Sequence, residues 1–157
     1  MKLQFWSVGK PHEPYVKAGI EEFTGRINKY YPAEWTLISP PKNAAVLSET
    51  DLKKAESDII LSKLTKEDYL VLLDERGKQI SSPELAGFLQ QRANESTKRV
   101  VFLIGGAFGV DESVMKRADY TWSFSKLVFP HMLVRLVLSE QIYRACSIIR
   151  NEKYHHS

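Results

Sequence analysis

Arg99-Val100-Val101-Phe102-Leu103-Ile104-Gly105-Gly106-Ala107-Phe108-Gly109 is the stretch that decides the fold. Its five apolar residues in a row, Val100 to Ile104, are bounded by a charge and a glycine pair. A short run with no polar alternation reads as a strand covered on both faces, the pattern of a parallel sheet. Glycines at 105, 106 and 109 follow at once, and backbone without a Cβ can approach a ligand closely. The loop alone leaves two readings open, a tight turn or a ligand cradle. It lacks the full Gly-x-Gly-x-x-Gly spacing and a following Lys-Ser/Thr, which argues against nucleotide phosphate.

Working outward, strands alternate with helices. Leu3 to Val8 reads as a strand stopped by Gly9-Lys10-Pro11. Glu13 to Tyr31 has helical spacing, with Val16, Ile20, Phe23 and Ile27 on one face. Trp35 to Ile38 is a second strand, and Ser48-Glu49-Thr50-Asp51 starts a helix running to about Leu64. Tyr69 to Leu73 is a compact apolar strand with a turn expected at Gly77. Ser82-Pro83-Glu84 opens a helix that turns Leu85, Phe88 and Leu89 inward. After the central strand come a short helix beyond Asp111, a strand near Tyr120 to Trp122, and a long helix from about Pro130 to Arg150. The class is α/β, one domain over residues 1–157, with a mostly parallel sheet flanked by helices.

Composition sets limits on function. The chain has 157 residues, 43% hydrophobic and 26% charged, within the ordinary range for a globular domain. Its net charge of +3 permits a nucleic-acid partner without requiring one. The single cysteine, Cys146, lies in an apolar stretch and reads as packing. The N-terminus is too short and mixed for a signal peptide, and no window is apolar enough to span a membrane. A cytoplasmic location is therefore expected.

Three apolar strand ends run into loops, at Leu73-Asp74, at Ile104-Gly105, and at Trp122-Ser123 through Phe129-Pro130-His131. Ligands of open α/β sheets bind at the carboxyl ends of strands, so these loops are expected to close around one small molecule. The final helix is apolar nearly all round and must be covered all round. A second copy of the chain is one candidate for that cover, and the monomer's own core is the other. Arg135, Glu140 and Arg144 interrupt the helix. Glu140 and Arg144 can pair at i, i+4, while Arg135, four residues after His131, reads either as an internal charge or as a substrate contact. The tail carries Tyr154, His155 and His156 without a ligand-spaced cluster, so no metal site is expected. His12 reads as an isolated surface residue.

The motifs also form an ordered set. It comprises Leu73-Asp74 with Gly77-Lys78, Leu103-Ile104-Gly105-Gly106 with Gly109, Ser123-Phe124-Ser125-Lys126 with Phe129-Pro130-His131 and Arg135, Glu140-Gln141 with Tyr143-Arg144-Ala145, and Tyr154-His155. The set resembles the RlmH family of SPOUT methyltransferases over the whole chain. The resemblance implies a C-terminal trefoil knot, a homodimer, and S-adenosylmethionine as cofactor. The implied activity is methylation of pseudouridine N3 in bacterial 23S ribosomal RNA, on the assembled ribosome or large subunit. The cofactor residues it implies are Leu73, Gly105, Phe124, Ser125, Lys126, Leu127, Val128 and Phe129. Two positions depart from the family's pattern: Val128 stands where Thr is frequent, and His156 where a basic residue is frequent. The competing reading is a non-catalytic ribosome-associated binding protein of the same fold.

Methylation of an imide nitrogen requires loss of its proton. His131 and His155 have side chains suited to act as base, with Tyr154 beside the second, and Arg135 is a candidate to stabilise the oxyanion that develops.

Overall fold

In the computed structural model, residues 1–156 are described. Five parallel strands form one sheet in the order β2-β1-β4-β3-β5. They are β1 (Lys2–Val8), β2 (Ala33–Ile38), β3 (Tyr69–Lys78), β4 (Arg99–Ile104) and β5 (Tyr120–Trp122). The expected central strand, β4, lies between β1 and β3, with Phe102 opposite Phe5 on one side and Val71 on the other.

Alternation along the strands sorts the core into two layers. Leu3, Phe5, Val100, Phe102 and Ile104 face one side, where α1 (Pro14–Ile27), α3 (Ser82–Asn94) and α5 (His131–Ile149) pack. Trp6, Val8, Val101 and Leu103 face the other, under α2 (Glu49–Lys63) and α4 (Glu112–Arg117). Both faces of β4 are thus covered by apolar side chains, which is why its sequence has no polar alternation. Leu138, Ile142, Ala145 and Cys146 of α5 are buried in the first layer. Burial also pushes the Cys146 thiol up to about 12.

Local chemistry explains the element ends. α2 starts at Ser48, whose hydroxyl accepts from the Asp51 amide at 3.1 Å. α3 starts at a capping box in which Ser81 and Glu84 satisfy each other's backbone amides. α1 ends at Ile27, four residues short of the expected Tyr31. There the Asn28 side chain grips the Ala33 backbone through both N–H and C=O, at 3.0 and 2.8 Å, and turns the chain into β2.

Gly77 is not the turn that was expected. β3 continues to Lys78 with an irregularity after Leu73, and Lys78 pairs with Trp122. A Cβ at Gly77 would stand 2.6 Å from the Thr121 carbonyl oxygen, so the residue allows close approach of two backbones. Of the two covers considered for α5, the chain's own core supplies one. The helix is flanked by α1 and α3 within the chain, and only Leu133 among its large apolar residues remains exposed. The monomer core therefore accounts for most of the helix's apolar surface.

Candidate functional site

The three strand ends singled out above converge on one cavity of about 830 Å³. Leu73 enters from β3, Ile104 and Gly105 to Gly109 from β4, and Trp122 to Ser125 with Leu127 to Phe129 from the segment after β5. That segment leads back from the sheet edge to α5, whose first residue, His131, also lines the cavity. A volume of this size suits a ligand of some tens of atoms.

Each loop is held by specific contacts. Gly109 adopts a left-handed φ of 80° and donates its amide to the Gly106 carbonyl at 3.0 Å, closing the glycine turn. A Cβ on Gly105 would stand 2.9 Å from Val110 Cγ1 and 3.2 Å from the Gly109 backbone, so any side chain there would push the turn open. After β5, the Ser123 hydroxyl donates to the Ser125 carbonyl at 2.9 Å, and Ser125 Oγ accepts from the Leu127 amide at 3.0 Å. Phe124 meets the buried Trp122 edge-on at 4.7 Å. Leu127 and Val128 are then left 70% and 80% exposed at the rim.

The opposite wall contains residues that the sequence reading did not select. Glu49, Thr50, Lys53 and Lys54 come from the start of α2, and Met115 from α4. Asp74 and Arg76 follow Leu73. Arg76 donates to both Asp74 carboxylate oxygens at 2.9 Å, which holds that carboxyl below the usual range. The α2 residues and Asp74 with Arg76 are distant in sequence from the glycine loop, and only the tertiary fold brings them to it.

The structure separates the four candidate reacting residues. His131 stands in the cavity wall, where burial first and the Arg135 charge second lower its pKa. Arg135 is not in that wall. The residue is 1% exposed and its guanidinium is turned to the end of β1. There it donates to Ser7 Oγ at 3.0 Å and the Lys10 carbonyl at 2.9 Å, and meets His12 Nδ1 at 3.2 Å. Nε and Nη1 are thus engaged by the protein, while among the described residues Nη2 has no hydrogen-bond partner and is the donor left for the oxyanion role expected of Arg135. The reading of His12 as isolated is corrected, since that ring also meets Trp35 edge-on at 5.1 Å. Burial and Arg135 lower its pKa, keeping it neutral with Nδ1 as acceptor.

Tyr154 and His155 lie along α5, outside the cavity lining. Tyr154 stacks edge-on against Tyr143 at 4.6 Å under the Arg144 guanidinium. Arg144 pairs with Glu140 at 2.8 Å, as the i, i+4 spacing required, and meets His155 Nδ1 at 3.1 Å. Of the cofactor candidates, Leu73, Gly105, Phe124, Ser125, Leu127, Val128 and Phe129 line the cavity, whereas the exposed Lys126 does not. Among the described residues no cluster of His, Cys, Asp or Glu is arranged to hold a metal ion, and no helix is long and apolar enough to cross a membrane.

A family model described as "Predicted SPOUT methyltransferase" matches residues 1–155. Full-length relatives are also similar to this chain. A protein of Cytophaga hutchinsonii is 43% identical over 99% of this chain and all of its own length. One of Exiguobacterium is 44% identical over 99% of both chains. One of Geobacter metallireducens is 43% identical over the whole of both. Each of the three is named ribosomal RNA large subunit methyltransferase H.

Proposed function

The chain belongs to the SPOUT methyltransferase family, and from that premise we propose that it methylates large-subunit ribosomal RNA with S-adenosylmethionine as donor. The target we propose is N3 of a pseudouridine in 23S RNA, met on the assembled ribosome or large subunit. The observation that carries the reading is the convergence of three strand ends and a glycine turn on one cavity of about 830 Å³. Its walls fit the cofactor: backbone of the 105–109 and 123–129 segments offers N–H and C=O groups to a purine edge, and Leu73, Phe124, Leu127 and Phe129 offer apolar contact. When bound, S-adenosylmethionine supplies an activated methyl group.

The protein's share is alignment and proton removal. Holding the nucleophile in line with the methyl supplies on the order of 7–11 kcal/mol in favourable cases. His131, kept neutral by its surroundings, is able to accept the imide proton of a base bound at the cavity mouth. Tyr154 and His155 lie away from the cavity of their own protomer. The reading therefore includes a homodimer in which a second copy brings its tail to the cavity. The exposed Phe108, Leu127, Val128 and Leu133 supply apolar surface for such an assembly. The trefoil knot implied by the family belongs to the same proposal, and the return of the chain from edge strand β5 to α5 is compatible with it. Location in the bacterial cytoplasm follows from the substrate.

Labelled methyl transfer tests the function. Rates on ribosomes and large subunits should far exceed those on extracted RNA, and ribosomes lacking the pseudouridine should be poor substrates. Cofactor binding without transfer to any of these would favour the non-catalytic binding protein. Light scattering tests the dimer, expected at twice the 18.0 kDa chain mass.

A further inference from the structure

Behind the glycine turn lies a carboxylate that the mechanism above does not use. Glu56 of α2 is 5% exposed. A Cβ built on Gly106 would fall on its Oε1, with Oε2 at 2.9 Å and the carboxyl carbon at 3.0 Å. The oxygens are nearer than the carbon, so the group is aimed at the loop. No hydrogen bond or ion pair reaches it among the described residues: Ser57 Oγ accepts from the Asp111 amide at 3.1 Å, Lys54 pairs with Asp58 at 3.7 Å, and Lys53, one turn earlier on α2, faces the cavity without pairing with it. For Glu56 itself, burial is the sole influence on the pKa, and it raises it. A buried carboxylate without a partner is unfavourable. A positive charge arriving on the cavity side of Gly106 lowers that cost, since only the loop backbone stands between the two.

We infer that Glu56 makes the cavity selective for ligand charge, favouring the sulfonium form of the methyl donor over the neutral thioether left after transfer. The inference rests on the methyl-donor reading and adds a residue to it. Transfer forms a nitrogen–carbon bond, breaks the carbon–sulfur bond and leaves the electron pair on sulfur, so the positive charge next to the loop disappears. The carboxylate then ceases to favour the bound ligand, and spent product gives way to fresh donor. Gly106 has a distinct part in this: only glycine lets a carboxylate lie so close beneath the backbone that meets the ligand.

Calorimetric titration of the purified protein with S-adenosylmethionine and with S-adenosylhomocysteine tests it. Glu56→Gln keeps the shape and removes the charge. It should weaken S-adenosylmethionine by about 10-fold and leave S-adenosylhomocysteine within about 2-fold. Glu56→Asp withdraws the charge by one methylene and should show a smaller loss in the same direction. Melting curves of the free proteins establish that both variants fold. Equal weakening of both ligands would make Glu56 a support for the loop and overturn the inference, as would unchanged affinity for the sulfonium form. A wild-type protein that binds neither ligand would remove the methyl-donor reading itself, and this inference with it.

Discussion

The two ends of α5 handle an arginine in opposite ways. Near the N-terminus, Arg135 is sealed beneath the sheet end and answered by a hydroxyl, a carbonyl and an imidazole. Near the C-terminus, Arg144 lies partly open between Glu140, Tyr154 and His155. The first joins α5 to β1 across more than 120 residues of chain. The second links Glu140 one turn back to the tail that follows it. Residue type is alike, and the neighbouring elements decide how many protein partners each arginine meets and how open it is left.

Removing Arg135 should have the largest effect. Arg135→Ala strips donors from Ser7, Lys10 and His12 and leaves a void, so denaturant unfolding should show a loss of about 3–5 kcal/mol. Arg135→Lys should recover little of it, because one ammonium cannot serve the same three directions. Wild-type stability with abolished methyl transfer would break the comparison and return Arg135 to the substrate.

Gly105→Val acts on the rim that α5 helps to close. The added side chain meets Val110 and the Gly109 backbone and should open the turn, costing about 1–3 kcal/mol of stability. Affinity for S-adenosylmethionine should fall by about 100-fold or more. Unchanged affinity in a folded variant would reduce the loop to a plain turn.

Deleting residues 154–157 sharpens the contrast from the other end. Tyr154 and His155 contribute surface contacts alone, so melting should change little, by about 1 kcal/mol at most. If the tail reaches a reacting base, methyl transfer should drop by about 10²-fold or more while cofactor affinity holds. Full activity in the truncated protein would make the Arg144 network merely a clasp for a chain end.

The smallest effect is in the pH dependence. His12 and His131 both have pKa values lowered in the folded state. The unfolded chain therefore binds more protons below about 6.5, and stability falls as pH drops through 6.5 toward the lowered values. Glu56, with a raised pKa, acts in the opposite direction above its reference value. The difference between wild type and His12→Asn, which keeps an acceptor where Nδ1 sits, isolates the first histidine. Stability of the variant should fall less steeply between pH 7 and 5. Parallel curves would show that His12 titrates alike in both states.

The strands and their parallel class were legible because they depend on periodicity, and Val100 to Ile104 read as a strand covered on both faces; the order of the strands in the sheet was not legible. The strand-end loops were legible for the same reason, as breaks in that pattern. What escaped were relations between distant residues. Nothing adjacent to Gly77 indicates that the Thr121 backbone presses on it, and nothing around Glu56 indicates a glycine above it. His12 looked isolated because its partners, Trp35 and Arg135, are 23 and 123 positions away. The i, i+4 spacing of His131 and Arg135 suggested a shared role. A helix turn brings their charges near each other, yet one faces the cavity and the other faces β1.

Cys146 gives the molecule a built-in clock. It is the chain's single thiol, held in the layer where α5 meets the sheet and scarcely ionised. A thiol reagent added to native protein must wait until α5 lifts, because only an exposed thiolate reacts. At reagent concentrations where labelling outpaces reclosing, the rate therefore counts openings of the helix one at a time. With the α5 variants above, the same measurement would separate a helix that opens more often from a site that has merely lost its chemistry.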